Sequence, residues 1–266
     1  MLRAALRIAY DGGFDAYARQ PGRRTVEGCL LDALRPEGYV ERSFRSGSRT
    51  DRGVSALENV LAVRLDRPHL KGIVPAVQAR LPSGLWITGA APVPEGWNPR
   101  HARRRVYRYV APRGGERLGG MRVAAKAFLG RHDIRAFARL EPGRDPFRAV
   151  ARFTVAPAPG AWVFRVEGPS FLWNQVRRMV DAVRVVGCGR ATPEDILAAL
   201  RSGVPDGAFG LAPAAGLLLE RVDHGIRWRE TGPLPWGRIE RTWQEASVRL
   251  ALAEHLRRAS VDRPAS

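Results

Sequence analysis

Long apolar runs are missing from this sequence of 266 residues. No stretch approaches the roughly 18 consecutive apolar residues that a membrane-spanning helix requires. Arg3 and Arg7 interrupt the segment from Met1 to Tyr10 before the apolar region of a secretion signal could form. We therefore expect no membrane association and no export, and we predict a cytoplasmic protein.

Cysteine and histidine are also scarce. The two cysteines, Cys29 and Cys188, lie far apart, and neither has the nearby Cys or His that zinc-ligand spacing requires. The five histidines are scattered, and no two of them show the spacing of a metal-binding helix. The sequence therefore predicts neither a disulfide framework nor a metal site, and it favours a reducing compartment.

Acidic residues are outnumbered by basic ones. The chain has 26 Asp and Glu against 44 Lys and Arg, which gives a net charge of +18. A GC-rich genome explains why almost all of these cations are arginine, but it does not explain their excess. Because such a field attracts polyanions, nucleic acid is the expected partner.

Strand and helix patterns occur twice in the same order along the chain. Strand, helix, two strands, helix and strand follow one another from Ala4 to Ala91, and the order repeats from Val106 to Val222 with an additional helix beginning at Thr192. Two successive split βαβ units predict an α+β protein with two ferredoxin-like halves. We assign an N-terminal half to 1–99, a second half to 100–225, and a linker with a C-terminal helix to 226–266.

Some element boundaries rest on short patterns. The spacing of apolar residues predicts a helix from Arg122 towards Phe137 and one strand from Ala149 to Ala156. A short strand is expected at Arg42 to Arg45, before a loop rich in Gly and Ser.

That loop carries the densest group of candidate functional residues. Its one carboxylate, Asp51, is surrounded by Arg45, Arg49 and Arg52. Neighbouring cations keep a carboxylate ionised, so Asp51 can serve as a nucleophile or base while the arginines hold a phosphate backbone. The alternative is an Asp that only caps a turn through its own backbone.

Five stretches in one order resemble the TruA-type family of tRNA pseudouridine synthases. Ser48 to Val54 resembles the (G/S)RTDxGV signature of that family. The other similar stretches are Ile8 to Gly12 with Thr25 to Gly28, Trp97 to Arg100 with Arg105 to Tyr109, Phe171 to Met179, and Ala212 to Leu217. The resemblance covers nearly all of the chain up to His224. The chain departs from the family pattern at Ser55, Tyr17 and Asp181, where many members have His, Trp and Gly.

The resemblance implies an isomerase that converts uridine to pseudouridine in the anticodon stem-loop of tRNA, at tRNA positions 38, 39 or 40. It implies no cofactor and no metal, a homodimer, and two adjoining antiparallel sheets around a basic cleft. It also implies that Asp51 attacks the target nucleotide, at either C1′ of the ribose or C6 of the base. Because a paired helix hides these atoms, the nucleotide must be flipped out.

The resemblance assigns roles to further residues. Tyr107 would stack on the flipped base, and Tyr109, which faces the same side of its strand, is the rival candidate. Arg177 would pair with the catalytic carboxylate. Its alternative is a helix cation that reaches out to water.

Three arginines and a leucine complete the expected site. Arg49 would enter the RNA to help displace the base, while Arg45 and Arg52 would bind backbone phosphates. Leu217 would line the pocket, although a strand leucine is ordinarily part of the core.

Two other classes of protein stay open on the residues alone. Two ferredoxin-like units with a net charge of +18 and aromatic side chains suffice for a non-catalytic RNA-binding module. A nuclease that uses Asp51 with a metal is disfavoured, because no second acidic residue near Asp51 can share a divalent ion.

Overall fold

The computed structural model describes residues 1–204 and 207–230 and the single positions 237, 239, 241 and 245. The predicted linker and C-terminal helix, 226–266, lie mostly outside the described residues. Within the described part, the chain is an α+β protein in which antiparallel strand pairs predominate, so the predicted fold class is confirmed.

The described residues form the elements used below. The strands are β1 (Leu2–Tyr10), β2 (Arg45–Ser46), β3 (Ser55–Leu65), β4 (Leu85–Pro92), β5 (Arg104–Pro112), β6 (Gly130–Asp133), β7 (Phe147–Val150), β8 (Arg152–Ala158), β9 (Ala161–Gly168), β10 (Leu217–Asp223) and β11 (Arg229–Glu230). The helices are α1 (Val26–Leu34), α2 (Ile73–Gln78), α3 (Leu118–Lys126), α4 (Gln175–Gly187) and α5 (Pro193–Ser202). The chain divides into two compact units, the first made of Met1–Arg105 and the described residues between 218 and 243, the second built on Val106–Leu217.

The first unit has the strand order of a split βαβ fold. β1 pairs antiparallel with both β3 and β4, and β2 pairs with the outer side of β3. The resulting order β4-β1-β3-β2 follows from two βαβ crossovers, and it matches the predicted ferredoxin-like half. β10 adds in parallel to β3, with Leu218 opposite Ser55, and β11 adds to β4. The strand β3 therefore has paired neighbours on both sides, and the loop before it enters the sheet at a central strand.

The second unit packs helices on three neighbouring strands of the nine-stranded sheet. Its strand order is β5-β9-β8, while β6 and β7 form a separate antiparallel pair. Apolar residues of α4, including Met179 and Val183, are fully buried, as expected for the inward face of an amphipathic helix. The buried carboxylate of Glu116 accepts hydrogen bonds from Arg184 and from the Trp162 indole, and this ion pair lowers the pKa of Glu116 against the opposing effect of burial.

Three predicted boundaries in these units were wrong. The helix predicted towards Phe137 ends at Lys126, because Gly130 takes a left-handed φ of 99° and the residues from Gly130 pair with β7 instead. The predicted strand Ala149 to Ala156 is divided at Ala151 into β7 and β8. The strand expected at Arg42 to Arg45 is shifted to Arg45–Ser46, where it pairs with β3.

Candidate active site

The loop between β2 and β3 is fixed at both ends by its backbone. At its start, the amide of Gly47 donates to the carbonyl oxygen of Val60 at 2.7 Å. A Cβ on Gly47 would lie 2.8 Å from that oxygen, so a side chain does not fit there. At its end, Gly53 has a φ of 85°, and the amide of Val54 donates to the carbonyl oxygen of Asp51 at 3.2 Å. The half-buried Asp51 thus begins a closed turn directly before the central strand β3.

Buried side chains hold the residues just before Asp51. Asn59 on β3 is fully buried, and its Nδ2 donates to the Tyr10 hydroxyl at 3.0 Å and to the Ser48 carbonyl oxygen at 2.8 Å. The Tyr10 hydroxyl also lies 3.0 Å from Oγ1 of Thr50. This network restricts the loop, because any movement that breaks one of these hydrogen bonds leaves a buried polar group without a partner and destabilises the fold.

A buried arginine holds the start of the same loop. Arg105 is 4% exposed, and its Nη2 donates to the carbonyl oxygens of Gly47 at 3.1 Å and Arg100 at 3.0 Å. Its Nε donates to Oγ of Ser48 at 3.0 Å. Arg105 is not among the site residues predicted from the sequence. The available signal was its period-two spacing with Tyr107, which places a charged residue on a face otherwise expected to be apolar.

The three arginines of the loop are exposed. Nη1 of Arg45 donates to the carbonyl oxygens of Arg42 and Phe44, both at 2.9 Å. Nε of Arg52 lies 3.9 Å from Oδ1 of Asp15, and 76% of the Arg52 side chain is exposed. The half-buried Asp51 therefore shares its loop with exposed arginines, whose guanidinium groups are accessible to a polyanion such as a phosphate backbone.

The other predicted site residues belong to the second unit. Tyr107 is 7% exposed, and its ring meets the ring of Phe171 edge-on, with the centroids 5.3 Å apart. The rival Tyr109 is 1% exposed, and its hydroxyl donates to the carbonyl oxygen of Pro213 at 2.9 Å. Because Tyr109 is buried and its hydroxyl already has a protein acceptor, Tyr107 is the better candidate for contact with a substrate.

Arg177 lies in the first turn of α4 and is half-buried. Its Nε donates to the carbonyl oxygen of Ala212 at 2.7 Å, and its Nη1 donates to Oδ1 of Asn174 at 3.2 Å. These contacts hold the guanidinium against protein acceptors, which differs from a cation that only reaches out to water. They also tie α4 to the segment that leads to Leu217, which is 7% exposed at the start of β10.

Two general features of the described residues bear on the site. In this part of the chain, no three side chains of His, Cys, Asp or Glu come together as a metal-binding group. Of the helices that the structure describes, none has the length and apolar character needed to cross a membrane.

His224 supports the segment beside the loop. Its Nε2 lies 2.8 Å from the carbonyl oxygen of Pro99, to which it donates, and its ring centroid lies 5.0 Å from that of Trp97. Burial lowers the pKa of His224 below its ordinary value of 6.5. The imidazole is therefore neutral in the folded protein at neutral pH.

This shift gives a pH-dependent stability with a defined sign. The unfolded chain takes up the His224 proton near the ordinary pKa, whereas the folded chain resists it, so stability present above that pKa is lost as the pH falls. We expect the free energy of unfolding to fall more steeply in the wild type than in His224→Gln between about pH 7.5 and about pH 5. Urea unfolding of both proteins at several pH values measures the difference. If the free energy of unfolding depends on pH in the same way in both proteins, the proposed effect of burial on His224 is wrong.

Comparison with known proteins gives one consistent family. The family model of tRNA pseudouridine synthase matches residues 124–224. The tRNA pseudouridine synthase A of Thermococcus kodakarensis is 43% identical over 230 residues, covering 84% of this chain and 85% of that protein. The protein of the same name from Thermococcus gammatolerans is 42% identical over 230 residues, with the same coverage of both chains. That from Pyrococcus furiosus is 41% identical over 221 residues, covering 82% of each.

A solved structure of a Cbf5-Nop10-Gar1 complex is similar to this one, and the matched region covers 68% of this chain and 45% of the other chain. The TM-score is 0.36 and the identity 16%, which is too distant to support an assignment.

Proposed function

The chain belongs to the tRNA pseudouridine synthase family and is an isomerase, and we propose that it acts on uridine in the anticodon stem-loop of tRNA with Asp51 as nucleophile. One observation carries this proposal. The half-buried Asp51 lies in a loop that the buried side chains of Asn59, Tyr10 and Arg105 hold by hydrogen bonds. Exposed arginines adjoin it in the sequence. A reacting carboxylate has to be held in a fixed position, and exposed arginines beside it can hold the phosphates of a polynucleotide substrate.

The proposed reaction needs no change of oxidation state. Asp51 attacks the flipped nucleotide at C1′ or at C6, and the bond between N1 and C1′ breaks. The base turns and C5 bonds to C1′, the bond from Asp51 to C1′ or C6 breaks and restores the free carboxylate, the C5 proton leaves to water, and N1 gains a proton. Substrate and product have the same atoms, so the protein has to supply only a nucleophile, a binding pocket and proton exchange.

Flipping the target costs a few kcal/mol in lost stacking and pairing, and contacts in the pocket have to offset that cost. We assign this role to Tyr107, whose ring Phe171 already orients. Leu217 would supply apolar contact, and Arg177 would pair with the nucleophilic carboxylate. These assignments rest on the family motifs and on the burial of each side chain.

The remaining proposals concern the partners. We propose that Arg49 enters the RNA to displace the base, and that Arg45 and Arg52 bind phosphates. Their exposure and the net charge of +18 support both roles. We further propose that the enzyme acts as a homodimer, so that one tRNA contacts both subunits.

Tritium release tests the proposed function. A tRNA labelled with tritium at C5 of uridine is expected to lose label to water when incubated with the protein, and EDTA should not stop the release. Replacing the uridines of the stem-loop at tRNA positions 38 to 40 by cytidine should remove the activity.

Other outcomes would reject the proposal in distinguishable ways. Binding of the tRNA without tritium release would indicate a non-catalytic RNA-binding module. Strand scission that EDTA stops would indicate a nuclease. Release that persists after replacement of the stem-loop uridines would move the target to another part of the tRNA.

A further inference from the structure

Trp173 is a large aromatic residue that the fold leaves on the surface. It lies in the segment between β9 and α4, and it is 44% exposed. The guanidinium of Arg139 lies over the indole ring, 4.2 Å from its centroid. The Arg139 amide also donates to the Trp173 carbonyl oxygen at 2.8 Å, which joins the two segments. Side chain and backbone contacts together therefore hold the ring in place on the surface.

The position of Trp173 relates it to the proposed pocket. Phe171, whose ring packs on Tyr107, precedes it by two residues, so their Cα atoms lie within about 7 Å of each other. On its other side, Asn174 accepts a hydrogen bond from Arg177 at 3.2 Å. The exposed indole therefore belongs to the same short segment as two contacts of proposed site residues.

The chemistry of the pair indicates its ligand. Exposed aromatic rings with nearby arginines are the means by which proteins bind unpaired bases of nucleic acids, because every base has a face that can stack. An arginine over one face of an indole adds a cation–π contact and a positive charge for a phosphate. A buried tryptophan such as Trp162, which is 3% exposed, has no surface for this role.

We propose that Trp173, held by Arg139, is a second stacking site that binds the base of a nucleotide adjacent to the flipped uridine. The inference rests on the proposed function, since it places the target uridine against Tyr107. It adds a contact that the family motif does not assign, and it makes Trp173 a residue that adds affinity for loop conformations in which the neighbouring base is unstacked.

A double-mutant cycle between protein and RNA tests the contact directly. The probe is a synthetic anticodon stem-loop RNA, compared with two RNAs in which the nucleotide on the 5′ or 3′ side of the target is abasic. We expect Trp173→Ala to weaken binding of the intact RNA about tenfold, the effect of losing one stacked base. For one of the two abasic RNAs, the wild type and Trp173→Ala should bind equally. Trp173→Phe should restore most of the affinity.

The matched control is Phe147→Ala. Phe147 is 40% exposed and has Arg131 stacked 4.6 Å from its ring centroid, but it lies on β7 and outside the segment of Trp173. This variant should bind all three RNAs as the wild type does. Equal losses in Trp173→Ala and Phe147→Ala, or losses that simply add for both abasic RNAs, would overturn the inference.

Pseudouridine formation by the wild type on the same intact RNA separates the two hypotheses. If pseudouridine forms but the losses of RNA affinity are additive, the stacking site is rejected and the proposed function is kept. Binding with no pseudouridine would reject the proposed function, and the binding cycle would still decide whether Trp173 stacks on a base.

Discussion

Replacing Asp51 by asparagine is expected to abolish pseudouridine formation and to leave tRNA binding nearly unchanged. Asparagine has almost the same shape, so the closed turn from Asp51 to Val54 and the buried support by Asn59 can persist. It lacks the charge and the nucleophilic oxygen that a covalent step requires. The loss in turnover should be on the order of 10⁴-fold or more, as for removal of other covalent nucleophiles. Single-turnover assays with excess enzyme measure it.

Asp15→Asn is the matched control for this prediction. Asp15 is a second carboxylate beside the same loop, 3.9 Å from Nε of Arg52, and the substitution removes the same charge. We expect this variant to retain turnover close to the wild type. If Asp51→Asn also retains turnover, the covalent role is wrong. If both variants lose tRNA binding, the charge of the loop matters for binding, and single-turnover rates at saturating enzyme then decide whether Asp51 is the nucleophile.

Local patterns were sufficient for much of the fold. The start of α5 was predicted from Thr192 followed by proline, and there the Thr192 side chain and the Asp195 carboxylate cap each other's backbone amides. The mostly apolar segment from Ala4 to Tyr10, which ends at the turn Asp11-Gly12-Gly13, predicted the central strand β1. In both cases the stabilising contacts lie close along the chain, or the burial of a whole segment is written in its composition.

The region after Lys126 shows why other parts could not be predicted. The apolar residues there have helical spacing, but Ile134 and Phe137 are buried in an irregular segment and a 3₁₀ turn. Pairing of β6 with β7, some seventeen residues apart, decides the structure, and a pattern within one segment does not report such a partner.

The candidate site likewise has a part that the sequence could predict and a part that it could not. Asp51 and its arginines adjoin one another in the sequence, so composition and motif were enough to find them. Their support was not visible, because Asn59 meets Tyr10 across 49 positions and Arg105 meets Ser48 across 57. A single sequence gives residue types at these positions but not the contacts that make them important.

Arg177→Met is expected to lower kcat about 10² to 10³-fold, with a much smaller change in tRNA affinity. The size is that of removing one fixed donor from a reacting group. Methionine keeps the apolar stem of the side chain, but it removes the cation that we propose pairs with the nucleophile. It also removes the hydrogen bonds to Ala212 and Asn174. Arg177→Lys should recover only part of kcat, because an ammonium cannot reproduce the planar fork that spans these two acceptors.

Arg178→Met provides the comparison, since Arg178 follows directly on α4, is also half-buried and loses the same charge. We expect its kcat to stay close to the wild type. Steady-state kinetics at saturating tRNA, with thermal unfolding of each variant, separate a catalytic effect from a structural one. A purely structural Arg177 would lower stability and the active fraction while the remaining folded enzyme kept its kcat. That result would withdraw Arg177 from the site and leave Asp51 and Tyr107 as its proposed members.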